Sequence, residues 1–187
     1  MSAQPEPAKT GSNASTRAMI LLVALVCAAP FVAAWIAYYV IKPQGGESYG
    51  QLLKTAPVPP LQLSGDAAER VRQRWILLIR ADGPCAAQCE QMLYATRQAH
   101  TMLGKERSRV QRVLIGTPEL SAEQERAHPD LIVGRVAAPS PEMDQLLRER
   151  AVLIDPLGNQ VIAWPLDPDI KKLNRDLMRL LRASRIG

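Results

Sequence analysis

Histidine occurs twice in the 187 residues, phenylalanine once, tryptophan three times and tyrosine four times. So few aromatics leave little on which nucleobases could stack. The basic excess, a formal charge of +5 with a pI near 9.4, is spread along the chain and gathers only in the last helical stretch. A nucleic-acid surface groups its cations and interleaves aromatic platforms, so the sequence argues against nucleic acid as a partner. No glycine-rich phosphate loop, Ser-His-Asp constellation or facing carboxylate pair is present, which leaves kinase and hydrolase chemistry without support. No internal repeat is found. Cysteine is also scarce: Cys27, Cys85 and Cys89 are the three.

What is present divides the chain. Residues 1–17 are polar, contain proline and lack periodicity, as a disordered tail does. Residues 18–41 carry no charge and are bracketed by Arg17 and Lys42. At 1.5 Å per residue this run crosses the roughly 30 Å hydrocarbon layer as a single tilted helix. Trp35, Tyr38 and Tyr39 gather at one end, where interfacial aromatics belong. Pro30 kinks such a helix without excluding it. No convincing small-x-small cleavage site precedes the aromatics, so a retained anchor is expected rather than a cleaved signal. Cys27, inside the run, reads as a small apolar residue. Residues 42–63, with Pro43, Gly45, Gly46, Pro57, Pro59 and Pro60, read as a linker. Residues 64–187 remain for one domain.

Within that domain, apolar runs and helical periods alternate. Strands are expected at Trp75–Ile79, Arg109–Gly116 and Leu131–Val136, with a hairpin over Val152–Trp164 turning at Asp155–Asn159. Helices are expected from Cys85 to about Leu103, over Ala122–Ala127 behind a Ser121 cap, over Pro141–Arg148, and from Pro168 to Arg185 with Asp167 as N-cap. This order predicts an α/β layer domain with a mixed central sheet and flanking helices, of thioredoxin-like type.

The stretch Asp82-Gly-Pro-Cys85-Ala-Ala-Gln-Cys89-Glu90 joins the first of these strands to its helix. Pro84 suits a first helical position, which places Cys85 in the first turn. The unpaired N–H groups and the positive end of the dipole there favour thiolate over thiol. Cys89 follows on the same face with Cβ atoms roughly 6 Å apart. Two such sulfurs can share a soft metal, or form a disulfide if the first turn adjusts. Two helical cysteines four apart are also compatible with small buried apolar residues.

With its anchor, Cys85-Ala-Ala-Gln-Cys89, a following helix and strand, and Leu153-Ile-Asp-Pro-Leu-Gly158, the chain resembles the Sco/SenC family over about residues 55–185. These are thioredoxin-like copper proteins of cytochrome c oxidase assembly. The resemblance implies copper held by Cys85, Cys89 and a histidine shortly before the Asp155 hairpin. It also implies an oxidase subunit or its assembly factors as partner. The chain departs from the pattern: Ala86 and Glu90 replace family prolines, and the histidine position falls near Leu147. His100 and His128 are both misplaced for it. The expectation is therefore Cu(I) on two sulfurs, with little Cu(II), or thiol reduction with Cys85 as nucleophile and Cys89 as resolving thiol. Asp82 opposes thiolate formation nearby.

Three readings stay open: a Sco-like oxidase assembly factor, a general membrane-tethered thiol–disulfide oxidoreductase, and a non-catalytic thioredoxin-like binding module. Charge flanking the apolar run is balanced and does not orient it. Dithiol chemistry suits an oxidising space. The expected location is a bacterial inner membrane, crossed once, with the domain in the periplasm.

Overall fold

The computed structural model describes residues 13–40 and 48–186. By its contacts the chain divides into two units, Met1–Glu47 and Ser48–Gly187. The first contains helix α1, Asn13–Val40, with Pro30 inside it. Thr16–Ala37 is long and apolar enough to cross a membrane, and Leu21, Leu25, Phe31 and Trp35 stand exposed along it. The tail expected over residues 1–17 falls outside the described residues as far as residue 12, and helix covers its end.

The second unit is a seven-stranded mixed sheet with helices on both faces. In chain order its elements are β1 (Gln51–Pro57), β2 (Leu61–Leu63), α2 (Ala67–Val71), β3 (Trp75–Pro84), α3 (Ala87–Thr101), a 3-10 turn (Gly104–Arg109) and β4 (Val110–Glu119). They continue with α4 (Ala122–Ala127), β5 (Ile132–Val136), α5 (Pro141–Glu149), β6 (Arg150–Ile154), β7 (Asn159–Pro165) and α6 (Ile170–Ala183). The strand order is β1-β7-β6-β3-β4-β5-β2. Pairs β3–β4 and β4–β5 are parallel, and β3–β6, β6–β7, β1–β7 and β2–β5 antiparallel. The expected mixed sheet with flanking helices is borne out.

The central strand shows why the sheet is buried on both faces. Trp75, Leu77 and Ile79 on β3 point into one core with Leu93 of α3 and Leu173, Leu177 and Leu181 of α6. Ile76 and Leu78 point into the other, with Met143 and Leu147 of α5 and Ala67 of α2. Strands covered on both sides read as continuous apolar runs rather than alternating ones. Each fully buried leucine contributes about 1.5–3 kcal/mol.

Two expectations are corrected. The linker predicted over 42–63 is sheet in its second half: residues 51–57 and 61–63 are the two edge strands. Pro57 ends the first and Pro59 and Pro60 separate it from the second, so the proline-rich composition disguised them. Residues 42–47 lie outside the described residues. At the other end Asp169, not Asp167, caps α6, its carboxylate accepting from the N–H of Lys172 at 2.9 Å. Asp167 instead accepts from the Gln91 side-chain amide of α3 at 2.6 Å.

Candidate functional site

Strand β3 runs five residues beyond Ile79, its last three pairing Asp82 with Thr117, Gly83 with Pro118 and Pro84 with Glu119. Two glycines make this possible. Gly83 has φ +74°, a left-handed conformation that side chains resist. Gly116 has φ +107°, and a Cβ there would lie 2.4 Å from the Ala81 carbonyl oxygen. Pro84 therefore closes the strand and does not open the helix as expected. The N–H of Cys85 donates to the Glu119 carbonyl at 3.1 Å, still following the edge of β4. Helix α3 begins only at Ala87, with Ala86 as N-cap.

This shifts both sulfurs relative to the helix end. Cys89, not Cys85, is in the first turn, where backbone N–H groups lack intrahelical partners and the dipole favours negative charge. Cys85 precedes the N-cap. The two are joined by a disulfide with Cα atoms 5.2 Å apart. Cys85 is 7 % exposed, whereas Cys89 is half-buried. Cys27 in α1 is the free cysteine among the described residues.

Gln124 holds this corner and escaped the sequence reading. Its side-chain amide donates to the Cys85 carbonyl at 3.0 Å and to the Glu90 carboxylate at 2.5 Å. Its oxygen accepts from the N–H of Ser121 at 2.8 Å, completing a capping box at α4. The Ser121-x-x-Gln124 spacing signals the capping box; nothing in it signals the reach to Cys85.

Cys89 opens into a cleft of about 340 Å³ lined also by Arg80, Asp82, Met92, Arg148 and Leu166. The charges around it are paired. Arg80 donates to Asp82 at 2.9 Å and also to Asp144, which accepts from Arg148 at 2.9 Å. Burial works against the Arg80 cation, but its hydrogen bonds to Asp144 and Asp82 outweigh this and raise its pKa. Burial likewise works against the Asp82 anion. The Arg80 hydrogen bond and charge outweigh it and hold the carboxyl below its ordinary range. Asp82 is thus an ionised but neutralised neighbour, and its expected opposition to a thiolate is offset by Arg80.

The histidines stand elsewhere. Nε2 of His100 lies 2.8 Å from the Val110 carbonyl and 3.1 Å from that of Arg107, so this nitrogen carries the proton and donates. His128 ends α4 and is buried, with Nδ1 unpartnered. Burial lowers the pKa of both, and for His128 the Arg112 charge adds to the effect. Arg112 itself, 1 % exposed, is lowered by burial to about 10. Leu147, near the position where the resemblance implies a histidine, is fully buried in the α5 core. Its neighbour Arg148 reaches the cleft instead. Among the described residues no group of three or more His, Cys, Asp or Glu is placed to hold a metal ion. A three-ligand copper centre therefore does not fit this site; a sulfur pair is what it offers.

Residues 75–184 match the family model described as transmembrane-like, thioredoxin-like, C-terminal domain. No curated protein sequence matches the chain. Among solved structures, copper-bound ScoI of Arabidopsis thaliana is 18% identical, covering 69% of this chain and 100% of its own, with a TM-score of 0.51. Apo Sco1 of Thermus thermophilus is 18% identical over 75% and 98%, at 0.46. A putative protein disulfide isomerase of Bacteroides thetaiotaomicron is 15% identical over 73% and 91%, at 0.42. The Arabidopsis likeness shows a common fold, and the chemistry is read from this chain's own sulfurs. The match over residues 75–184, more than half of the chain, shows that it belongs to the transmembrane-like, thioredoxin-like C-terminal domain family.

Proposed function

We propose that this protein is a membrane-tethered thiol–disulfide exchange protein that reduces a partner's cysteine pair during assembly of a copper site, with cytochrome c oxidase as the setting. The observation that carries the reading is the Cys85–Cys89 disulfide at a strand-to-helix corner, with Cys89 opening into the cleft. Once reduced, the Cys89 thiolate attacks one sulfur of the partner's disulfide. A Cys89–partner S–S bond forms, and the other partner sulfur leaves as thiolate. Cys85 then attacks Cys89, closing the internal disulfide and releasing the second partner thiolate. An external thiol reductant restores the dithiol.

This assignment reverses the roles expected from sequence. The first-turn position and the exposure both belong to Cys89, while Cys85 is covered and held by Glu119 and Gln124. A single-turnover reaction of the reduced full chain in detergent with a disulfide-bonded peptide tests it. Cys85→Ser should accumulate a mixed disulfide through Cys89, and Cys89→Ser should not. The opposite pattern would return the nucleophile to Cys85. For the oxidase setting, cells lacking the protein should regain oxidase copper with the natural chain and not with the double serine variant. Full recovery with that variant would sink it.

Copper carriage is the second reading, favoured by the adjacency of two sulfurs. Reduced Cys85 and Cys89 offer the soft pair that suits one Cu(I), and no nitrogen ligand for Cu(II). Anaerobic titration against a chelator should show Cu(I) binding that vanishes when both cysteines are serine. The apolar α1 is proposed as the single anchor in a bacterial inner membrane, with the domain in the periplasm. Phosphatase and cytoplasmic reporters fused after residue 187 check this; an active cytoplasmic reporter overturns it.

A further inference from the structure

Helix α6 uses one face completely and leaves the other strongly charged. Leu173, Leu177 and Leu181 are buried in the core. Asp176, also buried, accepts from the Trp164 indole N–H at 3.1 Å and the Gly50 N–H at 2.8 Å. It is the only acidic residue in α6. Lys171, Lys172, Arg175, Arg179 and Arg182 are all exposed, and Arg185 follows in the tail. At helical spacing these form one cationic surface opposite the core. The exchange chemistry has no use for it.

The chain also enters the domain along this helix. Besides the Gly50–Asp176 bond, the Tyr49 hydroxyl accepts from the N–H of Asp169 at 3.1 Å, and the Lys172 ammonium lies 5.4 Å from the Tyr49 ring centre. Only residues 41–47 separate α1 from this entry point. Seven residues reach at most about 25 Å. If α1 spans the bilayer, a tether of that length keeps the corner where Tyr49 meets α6 within reach of the lipid.

We infer that the cationic face of α6 docks on an anionic phospholipid surface, so that the domain lies against the membrane rather than swinging freely from its tether. Headgroup phosphates complement a face that carries cations and no exposed carboxylate, and such attraction amounts to about fivefold in affinity per cation near the surface. The inference rests on the reading of α1 as the span.

The test uses the full chain in nanodiscs of phosphatidylcholine alone or with one-third phosphatidylglycerol. Amine-reactive labelling of Lys171 and Lys172 is compared with that of Lys105, which is exposed at the 3-10 turn. Labelling of the α6 pair should slow about fivefold or more in anionic discs, recover in high salt, and leave Lys105 unchanged. The Arg175→Glu/Arg182→Glu variant should lose the lipid dependence while keeping its helical circular dichroism. Equal labelling in both discs, with the chain retained, overturns the inference and leaves an acidic protein as the occupant. Release of the chain from discs in high salt would overturn the anchor reading, and this inference with it.

Discussion

The two ends of helix α3 carry the residues that sequence alone would nominate as ligands or catalysts, and the fold treats them in opposite ways. At the N-terminal end, Cys89 lies in the first turn against an open cleft, bonded to a Cys85 that the sheet edge and Gln124 hold in place. At the C-terminal end, His100 is buried and its Nε2 donates to the carbonyl oxygens of Arg107 and Val110. One end holds its reactive atoms near solvent; the other consumes its polar atoms in holding the turn after α3 to β4. Residue type nominates a site, but the surroundings decide whether its chemistry is free to act.

The largest expected contrast follows directly. Replacing Cys89 by serine should abolish disulfide exchange, whereas His100→Ala should leave the exchange rate of the folded protein unchanged. A His100→Ala chain that stayed folded but lost exchange would break the contrast. Its cost should appear in stability instead: about 2–4 kcal/mol in denaturant unfolding, from the cavity and the lost hydrogen bonds to the Arg107 and Val110 carbonyls.

The N-terminal end can be sharpened through Arg80. Without its guanidinium, Asp82 loses the hydrogen-bonded charge that holds it below the ordinary carboxylate range, whereas Asp144 keeps Arg148. Arg80→Met should leave the Asp82 carboxylate uncompensated in the cleft that Cys89 lines and disfavour its thiolate. Alkylation of the reduced protein near neutral pH should slow by up to about tenfold. An unchanged alkylation profile would show that Asp82 is too far from the sulfur to matter.

The smallest effect belongs to acid. His100 and His128 both have pKa values depressed below the ordinary 6.5, chiefly by burial. Below about pH 6.5 the unfolded chain takes up protons that the folded chain refuses, so stability rises with pH in this window. Stability should be full above it and decline as pH falls toward the folded values. Thermal melts from neutral to about pH 5 should show the decline. The His100→Asn/His128→Asn variant should flatten it.

Much of this contrast was legible before the fold. The run from Trp75 to Ile79 is apolar without alternation because β3 is covered on both faces, and the cysteine spacing marked the corner itself. What stayed hidden depended on neighbours distant in sequence. The helix start moved because the Cys85 N–H is committed to Glu119, a partner on another strand. Gln124 became part of the site through a reach of 39 positions along the chain. The edge strands were masked by the prolines at and between their ends, Pro57, Pro59 and Pro60. Local propensity could not see any of these, since each is settled by which segments the sheet brings together.

The central claim is that Cys85 and Cys89 form an exchange-active pair rather than a fixed structural link. Equilibrating the full chain in detergent across graded thiol–disulfide buffers, then alkylating and weighing it intact, measures this directly. The account predicts a single reversible two-electron transition at those two sulfurs, with a midpoint above about −300 mV, where exchange-active dithiols lie. A pair that stays oxidised across that whole range, or one that never closes, would contradict it.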